Sequence, residues 1–236
     1  MLTIGRRTAL ALLPATAARA GDGRVLRPAP GAAQRGPSQA AGALIWAHAH
    51  YTEGPPPDPP PFAARLAEFD LWRLDRIGTR DPLEAGAAAL AEGSARLRTE
   101  GYRQVVILGE SRGAFIALAA LATPRLAEAM LLLAPAAHGT SPARRPDALA
   151  AFRAALDAMA PDALRRGALA LFREDPYDPD PAARAAAFRE AMRRHAAEAL
   201  VIDRPEAPVG HGAARDPEFD ARFGACLAGF LAGRPG

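Results

Sequence analysis

The stretch Val105-Val106-Ile107-Leu108-Gly109-Glu110-Ser111-Arg112-Gly113-Ala114-Phe115-Ile116-Ala117-Leu118 decides the fold. Val105 to Leu108 is a short apolar run of the kind found in a buried strand, and Ala114 to Ala122 reads as an apolar helix. Gly-Glu-Ser-Arg-Gly between them leaves room only for a sharp turn. In so tight a turn a Cβ at either flank would collide with the neighbouring strand or helix, which is a physical reason for both glycines. Ser111 is then held in strained geometry with its hydroxyl exposed at the carboxyl edge of a sheet. The next helix starts there, so its amino end can stabilise developing negative charge.

Outward from this unit, strands and helices alternate. Upstream, Ala43–Ala47 is a strand, and Arg24–Arg27 is the one strand candidate within the Gly-, Pro- and Ala-rich residues 21–41. The proline run Thr52–Pro61 must be a loop. Phe62–Phe69 reads as a short amphipathic helix with Phe62, Leu66 and Phe69 on one face, and Leu71–Leu74 as a strand. Pro82 suits a first helical position after a capping Asp81, opening a helix to about Thr99. Downstream, Met130–Pro135, Ala168–Phe172 and Leu200–Ile202 are strands, and Pro146–Met159 and Pro181–Ala197 are helices. Asp216-Pro217-Glu218 opens a final helix with Phe219, Phe223, Cys226, Leu227 and Phe230 on one face. This alternation predicts a three-layer α/β/α fold around a mostly parallel sheet of six to seven strands.

Composition bounds the function. The chain has 236 residues, half of them apolar, enough for one domain with a sizeable core. Its basic residues are all arginine, its net charge is only +3, and the arginines do not cluster with aromatics, which argues against nucleic-acid binding. Cys226 is the only cysteine, so no intramolecular disulfide forms, and no Cys/His spacing suits a structural zinc; no metal or cofactor is implied. Met1–Ala20 has the build of a signal peptide: Arg6-Arg7, the apolar run Thr8–Leu13, and the small-x-small triplet Ala18-Arg19-Ala20. The arginine pair resembles a twin-arginine export signal, and the apolar run is too short to span a bilayer. The expectation is an exported, periplasmic or secreted domain of residues 21–236. A cytoplasmic protein with an Ala-rich terminal helix is the alternative.

Gly109-Glu110-Ser111-Arg112-Gly113 is a G-x-S-x-G pentapeptide in strand–turn–helix context, and it resembles the nucleophile elbow of the α/β-hydrolase family. The resemblance covers about residues 42–232. It implies trimmed amino-terminal strands and a short cap-like insertion over residues 136–167. A serine hydroxyl needs a base within reach and an acid that orients the base, and the family places them in the order Ser, acid, His. Of five histidines, His211 alone follows the last strand and precedes the last helix, so it matches the base. Asp175, after the strand Ala168–Phe172, matches the acid; Asp178 is the runner-up and Glu174 the third choice. The implied oxyanion donors are the amide of Arg112 and an amide from the loop after Trp46, from His50 or alternatively Tyr51. Glu110 and Arg112 either shape the pocket or pair with each other or with the loops. The resemblance implies a serine hydrolase acting on a small-molecule ester or acyl substrate. A peptidase or amidase on the same fold is the runner-up, and a non-catalytic binding protein on this scaffold is the reading from a different class. Nothing in the sequence decides the oligomeric state.

Overall fold

The computed structural model describes residues 26–49, 57–75, 82–141 and 145–234. The expected leader, residues 1–20, and Asp81 lie outside them. The strands are β1 (Leu26–Pro28), β2 (Gly42–Ala47), β3 (Phe69–Leu74), β4 (Val105–Glu110), β5 (Ala129–Leu133), β6 (Arg166–Leu171) and β7 (Glu198–Asp203). They form one sheet in the order β1-β3-β2-β4-β5-β6-β7, in which only β1 runs antiparallel. The helices are α1 (Leu83–Thr99), α2 (Arg112–Ala120), α3 (Arg145–Asp157), α4 (Pro181–Arg194), α5 (Pro217–Phe219) and α6 (Ala225–Ala232). Among the described residues, no helix is long and apolar enough to cross a membrane.

Because strand side chains alternate between faces, each central strand supplies two cores. Ile45, Ile107, Leu132 and Leu169 face α1 to α4, with Leu90, Ile116, Phe152 and Phe188 packed over them. Leu44, Trp46, Leu108 and Leu131 face the other way, toward Phe62, Phe219, Leu227 and Leu231. Burying each such large apolar side chain contributes roughly 1.5–3 kcal/mol. Strands β2, β4 and β5 are buried along their whole length, which is why they read as continuous apolar runs.

Several boundaries differ from the sequence reading, each for a local reason. The stretch expected as a helix through Phe69 is a 3-10 segment, Pro61–Leu66, and Phe69 already pairs with Gly42 at the start of β3. Phe62, Leu66 and Phe69 nevertheless share one core. Helix α1 begins one residue after Pro82. Helix α4 stops at Arg194, where Ala196 turns left-handed (φ 52°) and the Ala197 amide donates back to the Met192 carbonyl. Within residues 136–167, expected as a cap-like insertion, α3 lies in the layer of α2 and α4, packing Phe152 and Leu156 into their core. Of these residues, Ala136, Ala137 and Gly139 line the cleft at Ser111.

The final helix is not one regular helix. Asp216 caps α5 by accepting from the Glu218 amide, as its sequence suggests. A π-helical turn, Asp220–Gly224, then precedes α6. The wide turn shifts the helical phase. Phe219 and Leu227 stay buried, Phe223 and Phe230 pack partly, and Cys226, expected on the apolar face, is exposed.

Candidate active site

Ser111 joins β4 to α2 with φ 52° and ψ −118°, a conformation an L-residue adopts only under constraint. The constraint comes from close packing on both sides. A Cβ on Gly109 would lie 2.7 Å from the Cα of Ala114, and one on Gly113 would lie 1.9 Å from the Ala47 carbonyl oxygen. The Ser111 amide donates to the Leu133 carbonyl, and the Ser111 carbonyl accepts from Ala136. Nearby, Ala134 (φ 42°) and Glu174 (φ 58°) are also left-handed, so three non-glycine residues with positive φ belong to the loops around the serine.

Asp175 follows β6 and His211 follows β7, so both reach the same carboxyl edge as Ser111. His211 Nδ1 lies 2.9 and 3.0 Å from the two Asp175 oxygens, and Nε2 lies 2.8 Å from Ser111 Oγ. With the carboxylate accepting at Nδ1–H, Nε2 is left to accept the serine proton. Asp175 is 8 % exposed and also accepts from the Tyr177 amide. The Tyr177 ring lies against the His211 ring, with centroids 4.4 Å apart.

The other two acid candidates have different surroundings. Glu174 is exposed on its left-handed turn. Asp178 is buried beside Arg184 at 3.3 Å, and burial pushes its carboxyl above the ordinary carboxylate range despite the arginine. Its amide donates to the Asp175 carbonyl, so it belongs to the turn that presents Asp175.

Arg112 is the first residue of α2, directly after the serine. His50 and Tyr51, the alternatives for the second oxyanion donor, lie outside the described residues. Glu110 pairs with Arg215 through two contacts, Nε to Oε1 at 2.9 Å and Nη2 to Oε2. Arg215 also donates to the Asp58 carbonyl and sits over the Trp46 ring. Arg215, Tyr177 and Arg184 carried no signal that the sequence reading used. Arg215 lies four residues after His211, and Arg184 is hidden in an Ala- and Arg-rich helix.

Ser111 and His211 open onto a cleft of about 430 Å³. Small residues, Ala49, Ala136, Ala137 and Gly139, line part of it; Glu110, Arg112 and Arg215 line another part. A larger hollow of about 960 Å³ lies around Arg98, Glu128, Arg165 and His195, by the starts of β5 to β7. It holds Ser94, whose hydroxyl donates to the Leu126 carbonyl. A serine in hydrogen-bond contact with a histidine occurs at the smaller cleft, and chemistry, not size, marks the candidate site.

Strand order and elbow together define the α/β-hydrolase fold. No protein-family model matches the chain, and no curated protein matches it in sequence. Solved structures do. The Pyrococcus furiosus esterase Pf2001 aligns over 85% of this chain and 86% of its own, at 14% identity and a TM-score of 0.55. Brefeldin A esterase, described as a bacterial homologue of human hormone sensitive lipase, aligns over 89% and 72%, at 18% identity and 0.55. A puromycin-hydrolyzing peptidase of Mycobacterium tuberculosis aligns over 84% of this chain but 35% of its own, at 14% identity and 0.59. At such identities the likeness is one of fold.

Proposed function

We propose that the protein is a serine hydrolase that cleaves small carboxylic esters through an acyl-enzyme on Ser111. The observation that carries this reading is the continuous hydrogen-bonded chain from Ser111 Oγ through His211 to Asp175 at the mouth of a cleft. In the first half-reaction Ser111 Oγ bonds to the ester carbonyl carbon and its proton passes to His211 Nε2. Asp175 stabilises the imidazolium without taking the proton. The carbonyl oxygen becomes an oxyanion, held by the Arg112 amide and by a second amide from the loop after β2, from His50 or Tyr51. Collapse breaks the bond to the alcohol oxygen, which leaves with the proton from His211. Water then repeats the sequence on the acyl-enzyme and releases the acid.

Likeness in fold to three hydrolases supports the class, and two of the three are esterases by description. The peptidase match keeps amide cleavage as the second reading on the same residues. A fluorophosphonate probe tests the core of the proposal. Covalent labelling of the wild type, absent in Ser111→Ala, supports an activated serine; an unlabelled wild type favours a binding protein on this scaffold. Matched ester and anilide substrates then separate esterase from amidase.

We also propose export through the twin-arginine route, on the strength of Arg6-Arg7 and the Met1–Ala20 pattern. An amino terminus near Gly21 on recovered protein, and retention of an Arg6→Lys/Arg7→Lys variant in the cytoplasm, are the expected results. An intact Met1 on the recovered protein refutes the cleavage.

A further inference from the structure

Arg184 is fully buried, yet nothing in the reaction above uses it. It sits on the first turns of α4, with its guanidinium 5.4 Å from the Phe152 ring centroid and 5.9 Å from that of Phe115. Its Nη1 donates to the Pro135 carbonyl at 2.7 Å, and its Nε lies 3.3 Å from Asp178 Oδ1. These two contacts belong to different loops. Pro135 precedes Ala136, whose amide donates to the Ser111 carbonyl at 3.1 Å. Asp178 donates its amide to the Asp175 carbonyl at 3.2 Å. A buried path therefore runs from the serine's backbone through Ala136, Pro135, Arg184 and Asp178 to the backbone of Asp175.

We propose that Arg184, with Asp178, is a positioning strut that fixes the distance between the loop carrying Asp175 and the loop that holds Ser111. The inference rests on the triad reading above.

Stability alone does not account for the pair. Among the described residues, Arg184 Nε and Nη2 and Asp178 Oδ2 lack hydrogen-bond partners. A buried ion pair so incompletely satisfied is more often neutral or unfavourable than stabilising when compared with apolar residues of similar volume. Desolvation accordingly lowers the Arg184 pKa and raises that of Asp178. What the pair supplies is reach. A guanidinium is a rigid, planar, delocalised cation, so one side chain can donate to the Pro135 carbonyl and hold the Asp178 carboxylate by charge at a set separation. These two partners lie in the turns that follow β5 and β6. The triad bonds of 2.8–3.0 Å span the same gap from the solvent side. Arg184 spans it from inside.

The decisive variant is the double replacement Arg184→Met/Asp178→Leu, which removes both charges and keeps volume. It should fold, with a melting temperature near or above that of the wild type. Its kcat on nitrophenyl acetate should fall between about 10- and 100-fold, the scale of a misplacement near 1 Å, while KM changes less than about twofold. The downfield proton resonance of the His211–Asp175 hydrogen bond should weaken or shift, a change that loss of packing elsewhere would not cause. Arg184→Lys, which keeps the charge but cannot hold the Pro135 carbonyl and the Asp178 carboxylate at once, should retain part of the kcat that the double variant loses. A folded double variant with wild-type kcat and an unchanged resonance overturns the proposal. Should the double variant fail to fold, Arg184→Lys and Asp178→Asn decide by the same two readouts: wild-type values in both overturn it. Absence of any ester turnover in the wild type would defeat the esterase reading, whereas the His211–Asp175 resonance still tests the strut, because it needs no substrate.

Discussion

At the scale of single residues, the site depends on side chains whose roles separate by substitution. In the proposed reaction, Ser111→Ala and His211→Ala each remove a partner in bond making or proton transfer. Each should lower kcat on a nitrophenyl ester by roughly 10⁵–10⁶-fold with the fold intact by circular dichroism. Asp175→Asn leaves the proposed nucleophile and base in place but reverses the donor–acceptor match at Nδ1. Its loss should be smaller, roughly 10⁴-fold. A silent Asp175→Asn beside a dead Asp178→Asn would move the acid to Asp178, against the present geometry. The candidates that sequence singled out were those whose chemistry demands a particular type at a particular place in the chain: a serine between glycines, an aspartate after a strand, a histidine in Gly-His-Gly; the structure brings these three into contact. Tyr177, Arg184 and Arg215 were not legible, because each acts through a tertiary contact across 34 to 105 positions, as in Arg184 to Pro135 (|i−j| 49), His211 to Tyr177 (211 − 177 = 34) and Arg215 to Glu110 (|i−j| 105).

At the scale of elements, the misplaced boundaries share a cause. Periodicity reports which residues prefer to be buried, and backbone pairing or a local polar contact then decides where the element stops. Phe69 is apolar at helical spacing from Phe62, but pairing with Gly42 draws it into β3. The π-turn before α6 belongs to the same class. Asp220 sits on that turn and pairs with Arg65 at 2.6 Å, and its carboxylate occupies the space a side chain at position 224 would need. A Cβ on Gly224 would fall 2.0 Å from Asp220 Oδ1. Gly224→Ala should therefore displace the Asp220 carboxylate and break its bond to Arg65 while changing stability in denaturant melts by less than about 1 kcal/mol, because the displaced groups end exposed, flexible side chains, the pair itself contributes little, and alanine suits the helical backbone at 224 better than glycine. Tyr102 fastens a different element. Its hydroxyl donates to Asp70 on β3, which also accepts from the amides of Arg35 and Gly36. Burial, and then the bond to Asp70, push the Tyr102 hydroxyl from the ordinary 10.0 up to about 12. The folded state thus holds a proton that the unfolded chain releases. The contribution is complete below pH 10 and is lost as pH rises through that interval to about 12. Tyr102→Phe should flatten the fall of melting temperature across this interval and cost about 1.5–3 kcal/mol at neutral pH.

At the scale of the whole molecule, fold class was the most legible feature because it needs only the order of elements. Six parallel strands joined by crossovers, with β1 antiparallel at the edge, bring the ends of β4, β6 and β7 to one edge, whatever the details of the loops. That is how residues separated by 100 and 36 positions (211 − 111 and 211 − 175) come within hydrogen-bond distance. The same architecture bounds the proposed substrate. Helix α3, in the region expected to form a cap, packs beside α2 and α4, and the cleft of about 430 Å³ is edged by alanine and glycine on one side and by the Glu110–Arg215 pair on another. A methylene adds about 0.8 kcal/mol to binding only while it leaves water for a protein surface. In a cleft this short, the first few carbons of an acyl chain are covered and later ones remain in solvent. In a series of nitrophenyl esters, kcat/KM should therefore be highest for acetate to butyrate and stop rising, or fall, toward dodecanoate. A steady rise to the longest chains would mean that an apolar surface beyond the described cleft takes up the chain, and the small-ester assignment would have to be replaced by a lipase-like one.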